Sequence, residues 1–110
     1  IHHMCGTLNA LLEQIDGLPA IANEAYTTYP LGDVSLDEGR ARMPSKSLIG
    51  GTNATLWLEE PEVIRDTVAA DLRACADRRG IFLTSAGVLP PLVSLEKGKK
   101  TVEMLKGLPL

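Results

Sequence analysis

Short apolar runs alternate along the chain with segments in which apolar residues recur at helical spacing. The alternation occurs four times, which predicts four consecutive strand-helix units. The predicted strands are Ile1 to Cys5, Pro19 to Ala25, Ser47 to Gly50 and Ile81 to Thr84. This alternation predicts an α/β fold with a parallel sheet and helices packed on it. The connections between the parallel strands are expected to be right-handed crossovers.

The predicted helices carry start and end signals. The first closes at Asp16-Gly17, and the second opens at Ser35, which forms with Glu38 the spacing of a capping box. Pro61 stands where the first residue of the third helix is expected, and Ser94 where the cap of the fourth is expected. The predicted apolar stripe of the third helix consists of Ile64, Val68, Leu72, Cys75 and Ala76.

Composition narrows the class of protein. The chain has 110 residues, of which 45% are hydrophobic and 23% charged, so it is neither disordered nor collagen-like. Eleven basic residues among fourteen acidic ones argue against nucleic-acid binding, which needs a positive face. Lys97, Lys99 and Lys100 are predicted to lie on a solvated helix face.

The cellular location is predicted from the absence of visible membrane-spanning and signal segments in the sequence. No segment approaches the ~18 consecutive apolar residues of a membrane span, and no signal peptide is visible in Ile1-His2-His3-Met4. We therefore expect no membrane association and a cytoplasmic location. The two cysteines are far apart in the sequence, so we expect reduced thiols rather than a disulfide.

In parallel α/β folds the functional residues lie at the carboxyl ends of the strands, so candidate residues are expected there. His3 and Cys5 are two residues apart and would share one face of a strand, and imidazole and thiolate are common zinc ligands. A truncated polyhistidine tag or a structural role explains the His2-His3-Met4 start equally well. Cys75 lies on the third-helix stripe and is interpreted as a small core residue.

Two further strand ends carry candidate residues. Glu24 follows an apolar strand and is a candidate metal ligand or general base, with an exposed strand-end acid as the alternative. The Gly50-Gly51 pair would let a backbone approach a phosphate or carboxylate, although such a pair also marks a tight turn. Gly50, Gly51 and Asn53 are therefore the candidate cofactor-binding residues.

Four motifs follow one another at or near the strand ends. They are His3-Met4-Cys5-Gly6, Thr28-Tyr29-Pro30-Leu31-Gly32-Asp33 leading into Leu36-Asp37-Glu38-Gly39-Arg40, Leu48-Ile49-Gly50-Gly51-Thr52-Asn53, and Gly80-Ile81-Phe82-Leu83 before Pro90-Pro91. In this order they resemble the carboxyl-terminal half of the uroporphyrinogen decarboxylase superfamily, over essentially the whole chain. The resemblance implies that residues 1–110 are four consecutive βα units, the C-terminal half of a TIM (β/α)8 barrel, which typically needs ~250 residues.

The resemblance also suggests a branch of that superfamily. In its cobalamin-dependent methyltransferases a His-x-Cys-Gly motif binds zinc, and His3 and Cys5 match those positions. The family's third zinc ligand is a Cys before the Gly of the last-strand loop, where this chain has Ala86 before Gly87. Decarboxylases carry a His at that position, so Ala86 departs from both patterns, and Glu24 would supply the missing ligand or a proton.

The function implied by the resemblance is a zinc- and corrinoid-dependent methyltransferase. It would move a methyl group between a small-molecule donor or acceptor, such as a thiol, and cobalamin carried by a partner corrinoid protein. The alternatives are uroporphyrinogen-III decarboxylase and a catalytically inactive family member that acts as a binding module. Half a barrel leaves two open sheet edges and an uncovered apolar interior, so we also predict a homodimer.

Overall fold

The structure is a computed structural model that describes residues 1–109. Its strands are β1 (His2–His3), β2 (Ala22–Thr27), β3 (Ser47–Thr52) and β4 (Ile81–Leu83). Its α-helices are α1 (Leu12–Asp16), α2 (Leu36–Arg42), α3 (Pro61–Ala74) and α4 (Leu95–Lys106). Single 3-10 turns at Asn9–Leu11 and Leu56–Leu58 precede α1 and α3. Strands and helices alternate four times, which confirms the predicted α/β organisation.

The four strands form one parallel sheet in the order β1-β2-β3-β4. When neighbouring parallel strands are joined in sequence order by right-handed crossovers, every helix falls on the same face of the sheet. The main core lies between that face and the helices. Its fully buried members include Leu12 from α1, Leu36 from α2, Leu48 from β3, and Ile64 from α3.

The predicted helix starts are confirmed. Ser35 Oγ accepts a hydrogen bond from the Glu38 amide at 3.3 Å, and the Glu38 carboxylate accepts one from the Ser35 amide at 2.7 Å, which completes the capping box. Pro61 is the first residue of α3, where its missing amide hydrogen costs nothing. Ser94 Oγ caps α4 by accepting from the Lys97 amide at 3.1 Å.

Several predicted bounds are wrong. β1 contains two residues rather than five, because only His2 and His3 pair with β2. β2 begins and ends later than predicted, and β3 continues through Thr52 because its last residues still pair with β2. The fourth strand ends at Leu83, one residue before the predicted end.

The stripe on α3 is correct up to Cys75 and wrong at Ala76. The helix ends at Ala74 and the backbone of Cys75 is extended, so Ala76 leaves the helical register and is exposed. Cys75 is buried in the core, where its Sγ donates to the Asp71 carbonyl at 3.3 Å, and burial raises the pKa of its thiol. The core interpretation of Cys75 is confirmed, and both cysteines are free thiols.

The lysines of α4 are only in part a solvated face. Lys97 Nζ donates to the Leu58 carbonyl at 2.8 Å, and Lys100 Nζ pairs with the Glu62 carboxylate at 2.9 Å. These two contacts tie the first half of α4 to the 3-10 turn before α3 and to the first turn of α3. Within residues 1–109, no helix combines the length and the apolar composition needed to cross a membrane.

Tyr26 shows how closely β2 approaches α2. Its ring is fully buried and its hydroxyl donates to the Ser35 carbonyl at 2.7 Å. Burial is the main cause of a strongly raised pKa for this phenol. A Cβ at Gly39 of α2 would overlap the ring, lying only 2.5 Å from Tyr26 Cζ.

We predict that Gly39→Ala lowers the free energy of unfolding by about 1–3 kcal/mol, because the added methyl group overpacks the Tyr26 site. The matched control is Gly98→Ala in α4, where an added Cβ meets nothing within 4 Å. That change is expected to raise the free energy of unfolding by about 0.5–1 kcal/mol through helix propensity. Urea denaturation of both variants measures the difference, and two equal shifts would contradict the packing described for Tyr26.

Candidate functional site at the carboxyl edge of the sheet

One row of side chains crosses the sheet on the face that lacks helices. The strand register aligns His3, Glu24, Ile49 and Phe82 as successive neighbours. Phe82 is 58% exposed, the His3 side chain 65% and the Glu24 side chain 37%. The adjacent row includes Asn23 and Leu48, and both are fully buried on the helical side. The side chains of the row from His3 to Phe82 therefore face away from the helices, where a ligand can reach them.

His3 and Glu24 contact each other directly within this row. The Nδ1 atom of His3 hydrogen-bonds to Oε2 of Glu24, and the two residues are register partners on β1 and β2. A carboxylate only accepts hydrogen bonds, so this contact places a proton on Nδ1. The Nε2 atom then carries the ring's available lone pair when the imidazole is neutral, and no residue within 1–109 hydrogen-bonds to it.

Cys5 lies beyond the end of β1 and does not share a strand face with His3. The chain turns at Gly6, which has a φ of 81° and whose amide donates to Thr27 Oγ1 at 3.4 Å. The Cys5 thiol is free and exposed. Among the 109 described residues, no three His, Cys, Asp or Glu side chains converge as a metal site would require. The residue types predicted for zinc are present, but this part of the chain does not assemble three donors.

A bulge in β2 places Glu24 and Tyr26 on opposite faces of the sheet. Ala25 has a φ of 64°. At this point β2 advances by two residues, from Glu24 to Tyr26, while β3 advances by one, from Ile49 to Gly50. Such a bulge changes the face on which the following side chain lies. Glu24 lies before the bulge, in register with His3 and Ile49, whereas Tyr26 follows the bulge and packs beneath α2.

The predicted cofactor-binding glycines have close neighbours within the fold. A Cβ at Gly50 would lie 2.5 Å from the Tyr26 carbonyl oxygen, and its φ of 142° is open mainly to glycine. A Cβ at Gly51 would press on the side chains of Leu36 and Leu83. Gly50 therefore permits the close approach of β2 and β3 at the bulge, and Gly51 packs beside α2 and β4. Their role toward a cofactor stays a prediction.

Asn53 links the loops that follow β2 and β3. Its Nδ2 donates to the Tyr29 carbonyl at 2.7 Å, and its Oδ1 accepts from the Leu56 amide at 3.0 Å and from Thr55 Oγ1 at 2.6 Å. The side chain is buried and these contacts use both ends of the carboxamide. Asn53 is thus a positioning residue for the carboxyl edge, and its predicted cofactor contact stays a prediction.

Threonine hydroxyl groups form hydrogen bonds along the same edge, a feature that was not predicted. Thr52 Oγ1 donates to the Thr84 carbonyl at 2.6 Å and accepts from Trp57 Nε1 at 3.1 Å. Thr27 Oγ1 donates to the Ala25 carbonyl at 2.8 Å within the bulge. The available signal was a threonine within two residues of the end of every predicted strand, at Thr7, Thr27, Thr52 and Thr84.

Ala86 lies in the loop after β4 and is buried, with a φ of 55°. β1 and β4 are the two edges of the sheet, three strand spacings or about 14 Å apart if the sheet were flat. A methyl side chain offers no metal donor. The loop after β4 therefore contributes no ligand through Ala86 to the His3–Glu24 pair.

Comparison of the chain with protein-family models, with curated proteins and with solved structures found no match.

We predict that Asn53→Ala lowers the free energy of unfolding by about 1–3 kcal/mol, because the Tyr29 carbonyl and the Leu56 amide lose their partner. Thr55→Ala is the control: it removes one hydrogen bond from an exposed side chain, and its cost should stay within about 1 kcal/mol. Urea denaturation measures both. An Asn53→Ala protein as stable as Thr55→Ala would contradict the linking role.

Proposed function

We propose that the chain is half of a (β/α)8 barrel of the uroporphyrinogen decarboxylase superfamily, in its methyltransferase-like branch. In this proposal it moves a methyl group between a small molecule or thiol and cobalamin on a partner corrinoid protein. The observation that carries the proposal is the His3–Glu24 contact on the helix-free face, at the carboxyl edge of a parallel sheet.

The order of the strands supports the half-barrel. In a (β/α)8 barrel successive strands are neighbours, the helices lie outside and the opposite face lines the interior. Doubly wound sheets instead reverse their strand order and carry helices on both faces. The order β1-β2-β3-β4, all parallel, has no reversal. The row from His3 to Phe82 would then face the barrel interior, and a second copy of the chain or further barrel strands would cover it, in keeping with the predicted homodimer.

The His3 imidazole and the Cys5 thiol are donor groups that commonly bind zinc. Metal-binding imidazoles commonly donate their second ring N–H to a carboxylate, which fixes the tautomer and orients the ring. Glu24 stands in that relation to His3, so the structure favours an orienting role for Glu24 over direct ligation. His3 Nε2 and the exposed Cys5 thiol would hold the metal, and the remaining positions would be filled by water, by the substrate or by a second copy of the chain. Zinc, when bound, would favour deprotonation of a coordinated thiol.

The chain's own residues also shape the surroundings of the substrate. Ile49 and Phe82 continue the row beside the His3–Glu24 pair and present apolar surface. Apolar walls with a few polar groups are typical of small-molecule sites. This arrangement suits a methyl-bearing substrate, since the methyl group packs on the apolar side chains while polar atoms meet the imidazole.

Ala86 favours a second candidate function, a catalytically inactive binding module. The residue supplies neither the thiolate of the methyltransferases nor the imidazole of the decarboxylases at its position. It therefore also counts against uroporphyrinogen-III decarboxylase, the remaining alternative. Methyl transfer from methylcobalamin to a thiol, followed by the absorption spectrum of the cobalamin, separates a methyltransferase from both alternatives.

Zinc affinity, measured by competition with a chromogenic chelator, tests the site directly. We predict that His3→Ala and Cys5→Ser abolish the site, because each removes one donor. We predict that Glu24→Gln weakens zinc binding by about 10- to 100-fold, because it removes the carboxylate that orients His3.

His2→Ala is the matched control, since His2 pairs with Asn23 in the adjacent row and its ring nitrogens are buried. The zinc affinity of this variant should equal that of the unmodified chain. If His2→Ala weakened binding as much as His3→Ala, the two histidines would be chelating as a tag does. That outcome, or an unmodified chain that binds no zinc, would overturn the proposed site.

A further inference from the structure

A cavity of about 860 Å³, open to solvent on one side, lies between α4 and the carboxyl ends of β3 and β4. Its walls are largely apolar and include Trp57, Leu83, Val93, Val102 and Leu105. None of the lining residues belongs to β1 or β2, so the cavity is separate from the His3–Glu24 pair. The volume falls in the range of small-molecule sites, roughly 300–1,000 Å³.

The cavity exists because α4 packs on its neighbours along one side only. Thr101 is fully buried, and the Lys100 contact with Glu62 ties the same helix to α3. Toward the cavity, Leu95 remains 75% exposed and Val102 41% exposed. Both side chains therefore keep apolar surface that residues 1–109 leave uncovered. A ligand that buried them would gain hydrophobic stabilisation.

The charges at the cavity favour an anionic group. Three charged residues line it, and two of them, Glu103 and Lys106, pair with each other at 3.0 Å. The third, Lys99, has no ion pair within residues 1–109 and is exposed. The lining therefore carries one net positive charge, which is complementary to a carboxylate.

We propose that this cavity binds an amphipathic carboxylate, a small acid with an alkyl chain, as an activity independent of the methyl-transfer site. The alkyl chain of the ligand lies against Leu83, Val102 and Leu105, and its carboxylate lies near Lys99. Trp57, the only tryptophan of the protein, forms part of the wall, so its fluorescence serves as the readout of occupancy.

Titration with decanoate below its micellar concentration, followed by Trp57 fluorescence, tests the proposal. We expect a saturable change, and about tenfold weaker binding of decyltrimethylammonium, which has the same chain and the opposite charge. Lys99→Glu should weaken decanoate binding about fivefold. Arg78→Glu, the same charge change at an exposed residue outside the cavity, should leave it unchanged.

Gly98→Leu blocks the cavity without disturbing the fold. Gly98 lines the cavity, and a Cβ added there meets nothing within 4 Å, so we expect a leucine side chain at this position to extend into the proposed ligand position. Because leucine also favours the helix, we expect an unchanged circular dichroism spectrum, no fall in Tm and loss of the decanoate response.

Three results would overturn the proposal. The first is the absence of a saturable signal with decanoate, and the second is undiminished decanoate binding by Gly98→Leu. The third is a Trp57 signal that follows protein concentration instead of decanoate and disappears in Gly98→Leu. That result would assign the cavity to a second copy of the chain.

Discussion

The handedness of the crossovers is the constraint on which the rest of this structure depends. Four parallel strands joined in sequence order place α1 to α4 on one side of the sheet. The hydrophobic stabilisation is concentrated there, around residues such as Leu48 and Ile64. The other face carries the row from His3 to Phe82 and contributes little to the core. Stability and candidate chemistry are thus assigned to opposite faces of the sheet, as in the barrel half that we propose.

The bulge at Ala25 connects the two faces. A left-handed backbone at a residue with a Cβ costs about 1–2 kcal/mol, and here burial of the Tyr26 ring and its hydrogen bond to Ser35 offset that cost. Glu24 lies before the bulge and shares the face of His3 through the regular pairing of β1 and β2. The packing of Tyr26 against α2 therefore depends on the bulge, with Gly50 permitting the close approach of β3.

Features set by neighbours along the chain could be predicted from the sequence, and features set by register could not. The four units, the Ser35–Glu38 cap and Pro61 at the start of α3 follow from short-range spacing. The contact of His3 with Glu24 joins residues 21 apart and depends on strand pairing, and no residue type announces the bulge at Ala25. Asn53 was identified as a candidate, but its link to Tyr29 depends on how two loops meet in space. Ala86 provides no metal donor, and the expectation that Glu24 supplies the missing ligand depends on the same strand register.

The tautomer of His3 tests the central claim most directly. Nitrogen-15 chemical shifts of the imidazole, recorded at pH 8 where an ordinary histidine is neutral, distinguish a proton on Nδ1 from one on Nε2. We predict that His3 carries its proton on Nδ1 and that Glu24→Gln reduces the population of this tautomer. A His3 proton on Nε2, unaffected by Glu24→Gln, would contradict the orientation on which the proposed site rests.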